Sequence, residues 1–265
     1  MSSSLALFAK ATRDSWHGLV GWAAAIAVMT LVYLPLHRSF GDASMAQVME
    51  SMPQALVKAM NYDLIASGPG YVQATIYGLL GFAFLTIAAV GWGGQAVGGD
   101  EEAGRLELTL AHAVSRSQVV LERALAMTLK VIILAGVTVA LVLALNGPSD
   151  LGVDVGNALE TSVVFATLAL LPGATALCVG AWSGRRVPAL VAGTAVAVLG
   201  YALNGLGNQG DNLEWMHAIS PYYWAYGNQP LVNGVDWVAC ALLAGLSAAL
   251  VALAVVGLNR RDVAV

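Results

Sequence analysis

Charged residues are scarce in this sequence. Asp, Glu, Lys and Arg make up 11% of its 265 residues, whereas about a quarter of the residues of a soluble domain are charged. The hydrophobic share is 58% and the mean hydropathy is +0.73. So little charge cannot cover the surface of a soluble domain, and the composition therefore predicts an integral membrane protein.

Charge is also absent from long stretches: no charged residue lies between positions 64 and 99. Hydrocarbon offers backbone groups no water to bind, so a spanning segment must be a helix or part of a closed barrel. Unbroken apolar runs of about 20 residues favour helices. The predicted fold class is all-α, a polytopic membrane protein with six transmembrane helices in a single transmembrane domain, residues 1–265. The predicted spans are residues 19–36, 71–97, 131–145, 161–182, 187–206 and 235–258.

Several motifs that carry chemistry are missing. The chain has no GxxxxGK(S/T) phosphate-binding loop, so we predict no nucleotide-binding domain and no cofactor in it. Its four histidines lie in four different segments, which gives no metal-ligand spacing. Cys178 and Cys240 are expected near opposite faces of the membrane, too far apart for a disulfide within one subunit. A net charge of −4 gives no reason to expect a nucleic-acid partner.

The positions of Lys and Arg predict the orientation. If both chain ends lie in the cytoplasm, ten of the twelve cations are cytoplasmic, and only Arg38 and Lys58 lie outside. Positive residues accumulate on the cytoplasmic side of membrane proteins, so this asymmetry supports six spans with cytoplasmic ends. The ten are Lys10, Arg13, Arg105, Arg116, Arg123, Lys130, Arg185, Arg186, Arg260 and Arg261.

Two further segments are expected outside the hydrocarbon. Residues 1–18 predict an interfacial amphipathic helix, whose apolar face comprises Leu5, Phe8, Ala9, Thr12 and Trp16. The run after it is long enough to span the membrane, so we expect a retained first span rather than a signal peptide. Between residues 37 and 70, apolar residues recur at helical spacing. This predicts short helices on the outer surface, divided by Pro53.

A charged segment separates the second and third predicted spans. Residues 98–123 carry eight charged side chains, so they must lie in water, and the charge count places them in the cytoplasm. Glu101 precedes Arg105 by four residues, which predicts a helical ion pair. Ser115 with Gln118 fits the start of a second helix. The apolar face of the first helix comprises Leu106, Thr109, Leu110 and Ala113. We call residues 98–123 the docking segment, although an ordinary solvated loop has the same local pattern.

The stretch EEAGRLELTLAHAVSRSQVVLERAL resembles the EExGxLELLLxxPVSRxxxxxxK stretch between spans two and three of type-2 ATP-binding-cassette (ABC) permeases. Gly70-Tyr71 at the start of span two, SPYYWAYGNQPL before span six and the final NRRDVAV resemble the same family, in the same order. The family has Pro where this chain has Ala113, so we expect a softer break between the two helices here.

The resemblance implies the membrane subunit of an ABC exporter in a bacterial cytoplasmic membrane. ATP and Mg would be bound by a separate ATPase subunit, present in two copies. A second copy of this permease, or a related one, would complete the pathway, in contact with membrane lipid. The residues it implies for coupling to the ATPase are Glu101, Glu102, Gly104, Arg105, Leu106, Glu107, Leu108, Leu110, Ser115 and Arg116.

The resemblance also implies a translocation pathway and an external gate. The pathway, lined by spans two and five, would include Tyr77, Phe82, Phe84, Tyr201 and Asn204. The gate would consist of two short helices that re-enter the membrane before span six, bounded by Pro221 and Pro230. Its residues would be Pro221, Tyr222, Tyr223, Trp224 and Tyr226. Simple packing would also explain the pathway residues, and an interfacial aromatic belt would explain the gate aromatics.

The predicted pathway has aromatic residues, few polar groups and no fixed charge, which suits a hydrophobic or amphiphilic cargo such as a drug, lipid or natural product. Two other classes stay open. Glu101-Glu102 before Arg105 resembles the EExxxR motif of prenyl-protein proteases, one residue short, but spans three to six contain no histidine. A passive or ion-driven carrier would need no ATPase, but ion-driven transport normally uses charged groups within the spans.

Overall fold

The computed structural model describes residues 5–39, 53, 65, 67–111 and 114–261. Throughout these residues the regular structure is helical, and six helices are long and apolar enough to cross a membrane. The all-α, six-span prediction is therefore confirmed. The spans are Trp16–Arg38, Gly68–Glu102, Arg116–Asn146, Val155–Ser183, Arg186–Gly207 and Trp237–Arg260. We call the end of the bundle that holds the docking segment the inner end, following the predicted topology, and the opposite end the outer end.

Side-chain caps set the start of several spans. Span three begins after Ser115, whose hydroxyl accepts a hydrogen bond from the Gln118 N–H at 3.1 Å. Span four begins after Asp154, whose carboxylate accepts from the Asn157 N–H at 2.9 Å. Such caps satisfy N–H groups that have no partner within the helix. Span three is 31 residues long, roughly 46 Å at 1.5 Å per residue, so part of it extends beyond the hydrocarbon.

Span four lies at the centre of the bundle. It packs against spans two, three, five and six. In its most apolar stretch 72% of residues are buried, against 22% in spans one and six. Gly93 of span two and Gly173 of span four allow a close approach, because a Cβ on Gly93 would collide with the Gly173 carbonyl. Pro172 lies inside the helix of span four, which continues through it.

Span two departs from a regular α-helix at both ends. It contains an outer π-helical segment, Gln73–Leu80, and an inner one, Gln95–Gly99, on either side of the α-helix Gly81–Gly94. The sequence predicts one continuous helix over residues 71–97, without these changes of pitch. Since π turns occur frequently at functional sites, both ends of span two are candidate sites.

A short helix, Ala6–Asp14, precedes span one and packs along the first turns of span three. Its half-buried face includes Leu7, Phe8 and Ala11, whereas Leu5 and Trp16 are exposed. The predicted apolar face is therefore only partly correct, because the helix turns a different side toward the protein. The outer helices predicted between residues 37 and 70 rest on residues 45–60, which lie outside the described residues except for Pro53.

Three short helices connect spans five and six at the outer end. They are the 3-10 helix Asp211–Ile219 and the α-helices Pro221–Tyr226 and Pro230–Asn233. Each proline occupies the first helical position, where its missing N–H leaves no partner unsatisfied. Pro221 and Pro230 thus each begin a helix, rather than bounding a pair of helices as predicted.

Candidate functional site

The docking segment continues span two, turns sharply and forms a short helix before span three. Span two ends at Glu102, and Gly104 has a left-handed φ of 67°, which glycine adopts without steric cost. The docking helix, Arg105–Leu110, follows. Residues 112 and 113, including the predicted break at Ala113, lie outside the described residues.

The predicted ion pair between Glu101 and Arg105 is wrong. Gly104 interrupts the helix between the two residues, so they do not lie one turn apart. Instead Arg105 pairs with Asp100 at 2.8 Å, and the other carboxylate oxygen of Asp100 pairs with Arg123 of span three at 2.8 Å. Arg123 also donates to the carbonyl of Ala96 in the inner π segment. Asp100 therefore joins the docking helix to spans two and three.

Glu101 and Glu102 bind residues of this same chain. The Glu101 carboxylate pairs with the Arg261 guanidinium beyond span six, and the two side chains are 14% and 24% exposed. An oxygen of Glu102 accepts the N–H of Arg186 at 3.0 Å. Arg186 begins span five, where backbone N–H groups lack helical partners and favour a negative charge. The two carboxylates therefore connect the docking segment to spans five and six.

The docking helix buries one face against the bundle. Leu106 is fully buried in a cluster that includes Val97, Val119 and Leu258, and Leu110 packs against the same cluster. Leu108 is 68% exposed. Leu106 and Leu110 of the predicted apolar face thus pack within this chain. The exposed residues, which we call the docking surface, are Glu102, Ala103, Gly104, Arg105, Glu107, Leu108 and Ala111.

Ser115 and Arg116 hold the segment in position. Ser115 caps span three, as described above. The Arg116 guanidinium donates to the carbonyls of Leu258 at 3.2 Å and Arg261 at 2.6 Å. The last carbonyls of a helix lack helical partners, so Arg116 holds the inner end of span six against the start of span three.

The structure brings most of the predicted pathway residues together at the outer end. The ring of Tyr222 lies 5.3 Å from that of Phe82 and 5.1 Å from that of Tyr201, centroid to centroid. Buried Tyr77 has its hydroxyl 3.2 Å from that of Ser162. Phe84 lies apart from this group.

Phe84 faces span one instead, with its ring 6.1 Å from that of Trp22. Two residues apart on a helix, Phe82 and Phe84 point about 200° apart. Asn204 is buried on span five, about one turn beyond Tyr201.

Two of the predicted gate aromatics bind the outer π segment. Tyr222 and Tyr226 donate to the carbonyls of Gly78 at 2.9 Å and Tyr77 at 3.0 Å. Carbonyl oxygens can accept a second hydrogen bond besides the helical one. Both tyrosines are buried, whereas residues of an interfacial belt would face headgroups. Gln73 adds a further contact, since its side-chain oxygen accepts the Leu231 N–H at 3.1 Å.

The other two gate aromatics bind the outer helices themselves. Tyr223 stacks on His217 at 3.9 Å between ring centroids, and Trp224 donates to the Ala218 carbonyl at 3.1 Å. Tyr223 is exposed, so an interfacial role fits it better than it fits Tyr222.

A family model described as "Multidrug efflux system permease Rv1217c, C-terminal domain" matches residues 1–259 of the chain. The chain belongs to this family of multidrug efflux permeases. No curated protein matches it. With six helices long enough to span a membrane among its described residues, this efflux permease is a multi-pass membrane protein.

The described residues of the outer end leave little space between spans two, four and five. A cavity lined by residues of spans two, four and five and by the helix Pro221–Tyr226 has about 10 Å³ of space, roughly the room of one water molecule. Its walls include Phe82, Pro172 and Tyr222. A drug-sized molecule needs a site of about 300–1,000 Å³, so this cavity is too small to hold one.

Sequence reasoning missed three residues that hold these sites together: Gln73, Asp100 and Arg261. For Arg261 the sequence predicts a cytoplasmic cation within the final NRRDVAV, but it does not predict the pairing with Glu101. Asp100 lies beside two glutamates, and no local pattern distinguishes its role from theirs. For Gln73, a lone amide in an uncharged run, polarity was the available signal, because a buried amide requires hydrogen-bond partners.

Proposed function

We propose that this permease is the membrane subunit of a type-2 ABC exporter. It would move a hydrophobic or amphiphilic molecule outward across a bacterial cytoplasmic membrane, with ATP hydrolysed by separate subunits. Family membership and the motif resemblance support this proposal, as does the lack of a phosphate-binding loop in the chain. The observation that carries it is the docking segment, which is held to several spans while it presents a compact exposed surface.

The contacts of the docking segment give it the connections that force transmission requires. Asp100 pairs with Arg123 on span three, Glu102 binds the start of span five, and Glu101 pairs with Arg261 after span six. A displacement of the docking helix would therefore act on three spans together. Closure of two ATPase subunits on ATP would supply that displacement, a rigid-body motion of the kind common in switching proteins.

The docking surface has the composition of a specific contact. Leu108 offers an exposed apolar side chain, whose burial in a groove would contribute roughly 2 kcal/mol. Arg105 and Glu107 flank it with opposite charges, which favour the correct partner and orientation more than they add affinity. Because Leu106 is already buried in the bundle, Leu108 is the leucine through which we expect the ATPase to bind.

At the outer end, the buried aromatic cluster would act as the external gate. Its hydrogen bonds and ring contacts close the bundle between spans two and five. Motion transmitted from the docking segment would separate the outer helices from span two and open a route between two permease copies. Aromatic walls without fixed charge suit an amphiphilic cargo.

The test is to purify the permease with its ABC ATPase, identified by co-purification with the unaltered permease, and to compare two substitutions. Leu108→Asp should abolish complex formation and the stimulation of ATP hydrolysis by cargo, because the aspartate would be desolvated in the contact. Leu5→Asp, at another exposed leucine of the inner end, should change neither. An intact complex with normal stimulation in Leu108→Asp would remove the docking claim.

The orientation has a separate test. Both native cysteines are buried, so a Leu108→Cys variant offers a single exposed thiol. A membrane-impermeant maleimide should label it in inside-out vesicles and leave it unlabelled in intact cells. Labelling from outside the cell would place the docking segment on the wrong side and overturn the proposal.

A further inference from the structure

Span three carries two buried ionisable side chains near its inner end, Glu122 and Lys130, each 5% exposed. A lysine near the end of a span commonly extends toward the lipid headgroups. In the structure the Lys130 ammonium instead donates to the Ser15 hydroxyl at 3.0 Å and lies 4.6 Å from the centre of the Trp92 ring. Buried charges are costly unless they are paired or hydrogen-bonded, so their partners indicate what they stabilise.

The partners lie at the two ends of the first helix, Ala6–Asp14. One oxygen of Glu122 accepts the N–H of Phe8, in the first turn, at 2.8 Å. The other accepts the side-chain N–H of Gln118 at 2.6 Å. Ser15 directly follows the last residue of the helix. Glu122 therefore binds the beginning of the first helix, and Lys130 binds its end.

Length and charge both match this arrangement. The eight residues from Glu122 to Lys130 correspond to a rise of about 12 Å, and the nine-residue first helix is about 13 Å long. A helix carries partial positive charge at its start and partial negative charge at its end. A carboxylate at the start and an ammonium at the end therefore both stabilise it.

We propose that Glu122 and Lys130 are positioning residues that hold the first helix along span three, so that the two helices move as one body during transport. Ser15 leads directly into span one at Trp16. The pair thus connects the docking segment, through span three, to span one, which its ion pairs do not reach. The joint movement rests on the proposed function, whereas the holding of the helix does not.

The distance between spin labels tests the holding directly, in the purified permease without any partner. Labels at Ala9→Cys on the first helix and Leu121→Cys on span three occupy exposed positions. We expect one narrow distance distribution. Glu122→Gln should keep it narrow, because its amide oxygen still accepts the Phe8 N–H, whereas Glu122→Leu should broaden it.

A charge exchange separates this proposal from simple packing. In the Glu122→Lys, Lys130→Glu double variant, both charges oppose the polarity of the first helix, so the distribution should be broader than in the neutral Glu122→Gln, Lys130→Gln variant. If Glu122 and Lys130 were instead paired with each other, exchanging them would keep the pair and leave the distribution narrow. An exchanged variant as narrow as the neutral one would overturn the proposal.

The same variants test the effect on transport. With the ATPase complex intact, the exchanged variant should lose roughly tenfold in ATP-driven transport of a fluorescent amphiphilic dye, whereas the single Glu122→Gln variant should retain most of it. Asp14→Asn, which removes an exposed carboxylate from the same helix, should not lower transport. Unchanged transport in the exchanged variant would refute the joint movement. If the unaltered permease binds no ATPase, the proposed function fails, while the label distances still decide whether the helix is held.

Discussion

Span two binds its neighbours through charges at the inner end and through neutral aromatic side chains at the outer end. Each end contains a π segment. At the inner end, Asp100 pairs with Arg105 and Arg123. At the outer end, the hydroxyls of Tyr222 and Tyr226 bind backbone carbonyls. The same helix is thus held by two kinds of interaction with different responses to water and salt.

The difference indicates what each end can do. Ion pairs that water reaches contribute little, about 0–1 kcal/mol each, and another protein can replace them with its own charges. Buried aromatic contacts and hydrogen bonds are insensitive to salt, and separating them exposes apolar surface. Exposed Arg105 at the inner end is therefore suited to exchange partners, whereas the buried contacts of the outer end are suited to stay in place.

The largest effect should follow from a loss of volume at the outer end. Tyr222→Ala removes a buried ring that contacts Phe82, Tyr201 and Tyr226, and should lower the free energy of unfolding by about 3 kcal/mol. SDS titration in mixed micelles measures it. Tyr223→Ala, at an exposed position, should change it by less than about 1 kcal/mol. Equal losses would mean that the outer end has no buried aromatic core.

At the inner end, the strongest single change should be Asp100→Asn. It leaves Arg123, whose side chain is 10% exposed, without its carboxylate. We expect a loss of about 2 kcal/mol in the free energy of unfolding, below the ~3–5 of a fully buried pair because Asp100 remains partly exposed. The same titration measures it. Glu107→Asn, at an exposed carboxylate of the docking helix, serves as the control and should have little effect.

Salt should affect the interactions at the two ends of span two differently. The Tyr222→Phe, Tyr226→Phe double variant loses two buried hydrogen bonds, about 0.6–1 kcal/mol each. Because no net charge is involved, this loss should be the same in 0.1 M and 1 M salt. The loss caused by Asp100→Asn should shrink modestly in 1 M salt, because water reaches Asp100, whose side chain is 19% exposed, and salt weakens its ion pairs from there. If the two losses depended equally on salt, the two ends would be held by the same kind of interaction.

The spans were predictable because their signals are local. Apolar run length identifies each helix, and Ser115 with Gln118 marks the start of span three. The positions of Phe82 and Phe84 on opposite sides of span two were also predictable from helical periodicity. The two residues therefore cannot both line a pathway on one side of this span. Gly104 likewise carried a usable signal, since glycine commonly interrupts a helix.

Other features were not predictable from local pattern, because they depend on residues far apart in the chain. Glu101 binds Arg261, 160 positions away, and no spacing rule relates the two. The π segments of span two lie where other elements bind it, at Gly78 and at Ala96. Intrinsic preference does not distinguish such turns from an ordinary helix.

The smallest effect on stability should come from Arg105→Gln. Arg105 and Arg123 bind the same carboxylate, but their side chains are 58% and 10% exposed. Arg123 would still neutralise Asp100 in this variant, so the free energy of unfolding should change by less than about 0.5 kcal/mol. Arg123→Gln should cost more, because it also leaves the Ala96 carbonyl without its donor. Binding to the ATPase should show the reverse order, since Arg105 belongs to the docking surface. If both variants destabilise the permease equally, Arg105 is part of the structural core and is not available to change partners.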